Sequence, residues 1–329
     1  MPSLEDAVDQ IANETGFAGV VRVDRGGDVQ LAKAYGLAHR GYGIPNTVDT
    51  RFGIASGTKG FTALTVVSLV DDGKLSLDTR AREVLGTDLP LIDDAVTVEH
   101  LLGHRSGIGD FFPDHGDVTA YPLGVAPHEL LDTEQYLAVL DRHPAEFPPG
   151  AKFSYCNGGY VVLALIAERV SGVPYHQLVR ERVCEPAGMH DTDFLRTDEP
   201  GERTALGYLP DGRTNVLHLP IRGNGDGGIY STAADFAKFW RAVFDGKVVS
   251  PGRVAEMVRP RSEVPEYSKR HGLGFWLPSS TDFVMLDGYD AGVSFRSAHD
   301  PASGSTYTVL ANSAEGAWPV IRSLVPSIH

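Results

Sequence analysis

The sequence predicts an α/β fold in the loose (α+β) sense: an antiparallel sheet flanked by N- and C-terminal helices, with an all-helical region inserted. Two observations carry this. Runs rich in β-branched and aromatic residues lie near both ends, and helical periodicity fills the stretch between them. The end pieces then build one sheet, and the insertion leans on it. The organisation expected is a discontinuous sheet domain, residues 1–75 and 206–329, with a mainly helical domain over 76–205. A cleft falls at their boundary, where ligand sites commonly lie.

Each element has its own reason. Leu4, Ala7, Val8 and Ile11 fall at helical spacing and predict a helix over 4–14. Runs 18–24 and 28–35 read as strands, with Arg25-Gly26-Gly27 as the hairpin turn between them, since glycine reaches positive φ at little cost. Phe52-Gly53-Ile54-Ala55 leads into a helix over about 57–71, with Phe61, Leu64, Val67 and Val70 on one face and Asp72-Gly73 closing it. Thr97 caps a short helix through Leu102, Glu134 to Leu140 forms another, and Gly159 to Val170 is strongly apolar. The loop over 110–128 is long and contains proline, a kind of segment frequent at binding sites. Strand character returns in Gly272–Leu277, Phe283–Asp287, Val293–His299 and Thr306–Ala311, before a last helix over 315–324.

Composition narrows the function. A chain of 329 residues, 42% hydrophobic, has ample material for one large domain or two modest ones. It has no fixed-period repeat and no low-complexity tract, which removes solenoids, collagen and coiled coils. The net charge is −14 and no Lys/Arg cluster interrupts it. A nucleic-acid duplex or an anionic bilayer would be repelled. No apolar run reaches the ~18–20 residues that span a bilayer, so no membrane segment is expected. Met1-Pro2-Ser3-Leu4-Glu5-Asp6 lacks a charged-then-apolar leader, and Cys156 and Cys184 show no metal-type spacing. Two reduced thiols in a cytoplasmic protein is the expectation.

The sharpest chemical feature is Ser56-Gly57-Thr58-Lys59 at a strand-to-helix junction. A serine at a helix start sits among unpaired N–H groups and the positive end of the dipole, which favour developing negative charge. Lys59 lies one turn along on the same face and can help to activate the serine, provided burial lets the amine lose or share its proton. Alone, the pair reads equally as a helix cap beside a solvated lysine. The second feature is Tyr155-Cys156-Asn157, after Phe147-Pro148-Pro149-Gly150 and just before the apolar helix. A phenol can accept a proton, and an amide can fix both a lysine and a substrate carbonyl. A loop tyrosine and an Asn cap would explain this motif by itself. The two motifs together, in this order, change the weighing.

In these residues the chain resembles the serine β-lactamase and penicillin-binding-protein superfamily, nearest to its class C β-lactamase and family VIII esterase branch. The resemblance runs over most of the chain. It includes Arg51-Phe52-Gly53-Ile54-Ala55-Ser56-Gly57-Thr58-Lys59, Asp72-Gly73-Lys74-Leu75-Ser76-Leu77-Asp78 and Thr97-Val98-Glu99-His100-Leu101-Leu102-Gly103-His104-Arg105-Ser106-Gly107. It continues through the Tyr155 motif and Gly227-Gly228-Ile229-Tyr230-Ser231-Thr232-Ala233-Ala234-Asp235 to Leu310-Ala311-Asn312-Ser313. The resemblance implies a β-lactamase/transpeptidase-like fold. It implies Ser56 as the nucleophile that forms an acyl-enzyme, Lys59 as a partner in proton transfer and Tyr155 as general base. Asn157 would hold Lys59 and the acyl side of the substrate.

The third element of that family, Lys-Thr-Gly or His-x-Gly on a strand lining the site, falls at Leu286-Asp287-Gly288. Gly288 is kept and the cation is not. The resemblance implies that Gly288 lets substrate approach the strand, and that the Tyr289 N–H joins that of Ser56 in an oxyanion hole. Without the cation, penicillins and peptides ending in a carboxylate fit poorly. The substrate expected is a small neutral ester or amide, or one carrying an amine that Asp287 attracts; Asp287 otherwise reads as a turn residue exposed to water.

Other patterns lose on context. Gly223-Asn224-Gly225-Asp226-Gly227-Gly228 has Gly-x-Gly-x-x-Gly spacing, yet it follows the Pro-containing Leu219-Pro220-Ile221-Arg222 instead of an apolar strand, so it reads as a loop leading to a Ser231-Thr232 cap of a helix over 233–244. His100 and His104 stand four apart with no acidic base between them and read as structural. No Gly-x-Ser-x-Gly elbow occurs. The reading is therefore a serine hydrolase of esterase or amidase type, acting on an ester, amide or peptide with no cofactor and no metal. The rivals are a β-lactamase or D-amino-acid peptidase, acyl transfer to an alcohol or amine, and a ligand-binding protein that lost turnover, toward which only the altered third motif points.

Overall fold

Ser3 opens the first helix, α1 (Leu4–Thr15): its hydroxyl accepts the Asp6 N–H while the Asp6 carboxylate takes the Ser3 N–H, and Gly16 closes the helix at φ 63°. The hairpin β1 (Gly19–Arg25) and β2 (Asp28–Tyr35) follows, turned by Gly26 and Gly27 at φ 58° and 92°. Next come α2 (Thr58–Asp71), α3 (Val98–Leu102), α4 (Asn157–Ser171) and α5 (Ala233–Phe244). Six strands then run in sequence: β3 (Ser262–Val264), β4 (Lys269–His271), β5 (Trp276–Pro278), β6 (Val284–Asp290), β7 (Val293–Asp300) and β8 (Ser305–Ala311). Helix α6 (Ala317–Leu324) ends the fold. The computed structural model describes residues 3–112, 121 and 123–325.

These eight strands join one antiparallel sheet in the order β2-β1-β8-β7-β6-β5-β4-β3, so the N-terminal hairpin closes onto the last strand. Side chains of a strand alternate between faces, and the burial follows that period. Val21, Val23, Met285, Ala298 and Val309 pack with Val8 and Ala12 of α1 and Val320 and Ile321 of α6. Their neighbours Val20, Leu286, Phe295 and Leu310 face the larger core with Phe61, Phe236, Phe239 and Trp240. Each large apolar side chain fully buried there contributes roughly 1.5–3 kcal/mol.

Helix α2 is buried from Thr58 to Val70, and a helix apolar on every side belongs inside a core. It lies between the sheet and α4: a Cβ on Gly60 would come within 2.6 Å of the Leu286 side chain, and α4 packs on its other flank. One hydrophobic cluster therefore runs from the sheet through α2 into α4.

The strand expected over Gly272–Leu277 is corrected. The chain leaves the sheet after His271 and rejoins it at Trp276, with Gly274 at φ 88° so close to α2 that a Cβ would lie 2.3 Å from that of Ala63. Glycine alone allows that approach. The short charged strands β3 and β4 gave no period to read, as is common for sheet edges. Within the loop over 110–128, residues 113–120 and 122 lie outside the described residues.

Candidate active site

The chain enters α2 through a short 3-10 turn, Ala55–Gly57. Ala55 stands at φ 45°, a backbone conformation that costs a non-glycine residue about 1–3 kcal/mol, and the turn that follows sets Ser56 Oγ within reach of Lys59. Strand β6 passes directly behind: a Cβ on Gly288 would fall 2.0 Å from the Ile54 carbonyl oxygen. Gly288 is what lets the strand backbone and the serine turn lie side by side.

Lys59, on the first turn of α2, is 4% exposed, and its Nζ donates to three oxygens. Ser56 Oγ is at 3.1 Å, Asn157 Oδ1 at 2.8 Å and the Asp226 carbonyl at 2.7 Å. An ammonium has three hydrogens, so each has a place. The Asp226 carbonyl comes from the glycine-rich stretch 223–228, which lies against α2 and α4. Thr62 Oγ1 donates to Gly225 O at 2.6 Å, and a Cβ on Gly225 would strike the Tyr160 carbonyl. The loop set aside in the sequence as a false nucleotide motif thus holds the lysine.

Asn157 is the first residue of α4 and 9% exposed. Asp110 fixes it: its Oδ2 accepts the Asn157 N–H at 2.7 Å and lies 3.3 Å from the Asn157 side-chain nitrogen, while Oδ1 accepts the Gly158 N–H at 2.8 Å. One carboxylate therefore covers the helix N-terminus and orients the amide whose oxygen meets Lys59.

Tyr155 lies beside the same lysine, with Lys59 Nζ 4.9 Å from the ring centroid. The ring stacks on His104 at 4.3 Å and runs parallel to Trp276 at 6.1 Å. His104 is buried at φ 53°, and its Nδ1 accepts the Cys156 N–H at 3.0 Å. Nε2 therefore carries the hydrogen of the neutral ring, and among the described residues it has no partner. Burial pushes His104 well below the usual imidazole range, helped by the charges of His271 and Lys59. His271, 4.9 Å from His104 ring to ring, is pushed down to about 3, again first by burial.

The third motif behaves otherwise than the sequence suggested. Leu286 and Gly288 face α2 and the serine turn, so by the period of two Asp287 and Tyr289 face the opposite layer. The expectation that Asp287 attracts a substrate amine meets a carboxylate that already has two cations. That carboxylate is held by Lys269 and by Arg296, whose Nη2 lies 2.9 Å away. Burial would raise Asp287, but the Arg296 and Lys269 charges outweigh it and hold the group at about 2. The Tyr289 ring is 46% exposed and leans toward Trp318 of α6, so only its backbone is left to serve the cleft.

Sequence reasoning missed Asp110, Asp226, His104 and Asp290 as parts of this cleft. His104 stood inside a quoted motif, and Asp226 inside a quoted glycine run; nothing about the spacing of Asp110 or Asp290 marked them.

The Beta-lactamase family profile matches residues 4–323. The putative penicillin-binding protein PbpX of Bacillus subtilis (strain 168) is 30% identical over 304 residues, which covers 90% of this chain and 71% of that protein. Esterase EstB of Burkholderia gladioli is 30% identical over 306 residues, covering 83% of this chain and 77% of that one. The crystal structure of penicillin binding protein from Bacillus halodurans superposes with a TM-score of 0.91 at 34% identity, over 97% of this chain and 99% of that chain. The chain belongs to the Beta-lactamase family, within the superfamily of β-lactamase- and penicillin-binding-protein-like hydrolases.

Proposed function

We propose that this protein hydrolyses esters or amides through an acyl-enzyme on Ser56, as a member of the class C and family VIII esterase branch. The observation that carries the reading is the Lys59 ammonium, pinned by Asn157 and Asp226 with its remaining hydrogen aimed at Ser56 Oγ. A lysine so held polarises the serine at a fixed place and does not itself take the proton. Tyr155, against that lysine, relays it. Ser56 Oγ attacks the carbonyl carbon, its proton passes through the Tyr155 oxygen to the leaving alcohol or amine, and the bond to that group breaks. Water then attacks the acyl-serine ester by the reverse route and frees the acid. The N–H groups of Ser56 and Tyr289 receive the oxyanion in each half, and Asn157 holds the acyl side of the substrate.

Leu286 favours esters and uncharged amides over β-lactams. It is 2% exposed, packs on Gly60 of α2, and stands where the resemblance expects a cation for a substrate carboxylate. The test is intact-mass spectrometry after a fluorophosphonate, with peptide mapping. The expected result is one adduct on Ser56, lost in Ser56→Ala together with hydrolysis of p-nitrophenyl esters. Activity retained in Ser56→Ala, or a label elsewhere, overturns the reading. A cephalosporin cleaved faster than the esters would return the β-lactamase alternative to first place.

A further inference from the structure

Beside the serine turn lies a pocket of about 630 Å³, counting its open mouth. Gly53 and Ala55 form one wall, and Phe111, Tyr136, Leu219, Pro220 and Val293 line much of the rest. Two carboxylates stand in this apolar setting, Asp226 and Asp290. Asp290 follows Leu286 and Gly288 at intervals of two, so β6 presents it on the same face as the glycine that backs Ser56. Its Oδ1 accepts the Ala291 N–H at 2.8 Å, and backbone N–H groups of its own residue and Gly227 meet the Asp226 carboxylate. Among the described residues neither is in an arginine or lysine ion pair like those of Asp287.

Charge in this corner is unbalanced. Lys59 is the cation whose charge reaches both carboxylates, and its three hydrogens are already engaged. Asp110 adds a further negative charge near Asp226. Burial pushes Asp226 up to about 6 and Asp290 up to about 7, which is how carboxyl groups behave when no counter-charge meets them. A bound cation would relieve this; a second anion would worsen it.

We infer that the pocket takes the acyl group of the substrate and selects one bearing an apolar or aromatic side chain together with a protonated amine, which Asp290 and Asp226 receive. The acyl group is the part that remains through both half-reactions, so it suits the deep side of the cleft, while the leaving group must reach solvent. The inference rests on the serine-hydrolase reading and deepens it.

The test compares phenylalanine p-nitroanilide, in both enantiomers, with its N-acetyl derivative, which keeps the ring and removes the charge. A charge-assisted hydrogen bond in a partly desolvated site predicts about a tenfold or greater preference in kcat/KM for the free amine. Asp290→Asn is expected to cut that preference about fivefold or more, and Asp287→Asn, on the far face, to leave it unchanged. Should Asp290→Asn fail to fold, inhibition of p-nitrophenyl butyrate hydrolysis in the unmodified protein still decides: 2-phenylethylamine should inhibit at about tenfold lower concentration than uncharged 2-phenylethanol. Equal turnover of free and acetylated amides, or equal inhibition by amine and alcohol, overturns the inference while Ser56-dependent ester hydrolysis keeps the wider reading intact. Failure of every ester and amide, with no label on Ser56, overturns the wider reading instead.

Discussion

The His104 imidazole lies face to face with the Tyr155 phenol, centroids 4.3 Å apart and planes 29° apart, while its Nδ1 takes the Cys156 N–H. One buried neutral ring thus holds both the side chain of Tyr155 and the backbone that follows it. His104→Ala removes the stacking surface and leaves a buried N–H without an acceptor, at a cost of about 2–4 kcal/mol in stability. We expect kcat to fall about tenfold or more with KM little changed, because Tyr155 loses its position and the substrate does not lose a contact. His104→Phe restores the stack without the acceptor, so it should recover kcat more than melting temperature. An alanine variant with full kcat would show that Tyr155 needs no such support.

Asp110 joins three nitrogens of the α4 N-terminus, two backbone and one on the Asn157 side chain. Asp110→Ala should cost about 1–2 kcal/mol as a lost helix cap. It also frees the Asn157 amide to rotate away from Lys59. Thermal melting and steady-state kinetics together check this: both stability and kcat should drop, and Asn157→Ala added on top should lower kcat little further, since the two act through one contact. Fully additive losses would separate Asp110 from the amide.

Much of this fold was legible because it obeys local rules. The Ser3 box of α1, the Gly26-Gly27 turn and the Thr97 cap each satisfy specific backbone groups with residues a few positions away. The Ser56, Lys59, Tyr155 and Asn157 set was legible as motif, and the chain brings Lys59 against the other three. The contacts that complete the cleft were not legible, because they join positions far apart in the chain. Lys59 meets Asp226 across 167 residues and Asn157 meets Asp110 across 47, and no local period encodes such pairs. The cations that hold Asp287 were hidden for the same reason, since Lys269 and Arg296 lie 18 and 9 residues away from it.

That pairing predicts a stability defect and no change in specificity. Asp287 sits between Lys269 and Arg296, all three largely buried, so Asp287→Ala leaves two cations without their anion. Breaking such a set from one side costs roughly 3–5 kcal/mol. Denaturant unfolding should show the loss, and the ratio of free-amine to acetylated amide turnover should stay where it is in the unmodified protein. A shifted ratio would return Asp287 to the cleft.

Stability should also depend on pH, with a sign that follows from which groups are buried uncharged. Burial pushes His271 down to about 3, His176 and His299 to about 4, and His104 well below its ordinary value of 6.5. The unfolded chain therefore binds more protons than the folded one at these sites below pH 6.5. Their contribution is complete above that pH and is lost on acidification, roughly 1.4 kcal/mol per unit for each ring. Asp226 and Asp290 act in the opposite sense. Raised by burial to about 6 and 7 from 3.8, they bind protons in the folded state first and stabilise it as pH falls toward 4. Asp287, held low by its cations, enters only below about 4. Four rings outweigh two carboxyls, so the net loss between pH 6 and 4 is on the order of 3 kcal/mol per unit at most. The melting temperature should rise slightly as pH falls through 7, where Asp290 takes its proton, and fall steadily below about 6 as the rings outweigh it. Asp290→Asn removes one opposing group and should make the fall steeper. A melting temperature that holds level down to pH 4.5 would mean that the buried rings do not remain neutral in the folded protein.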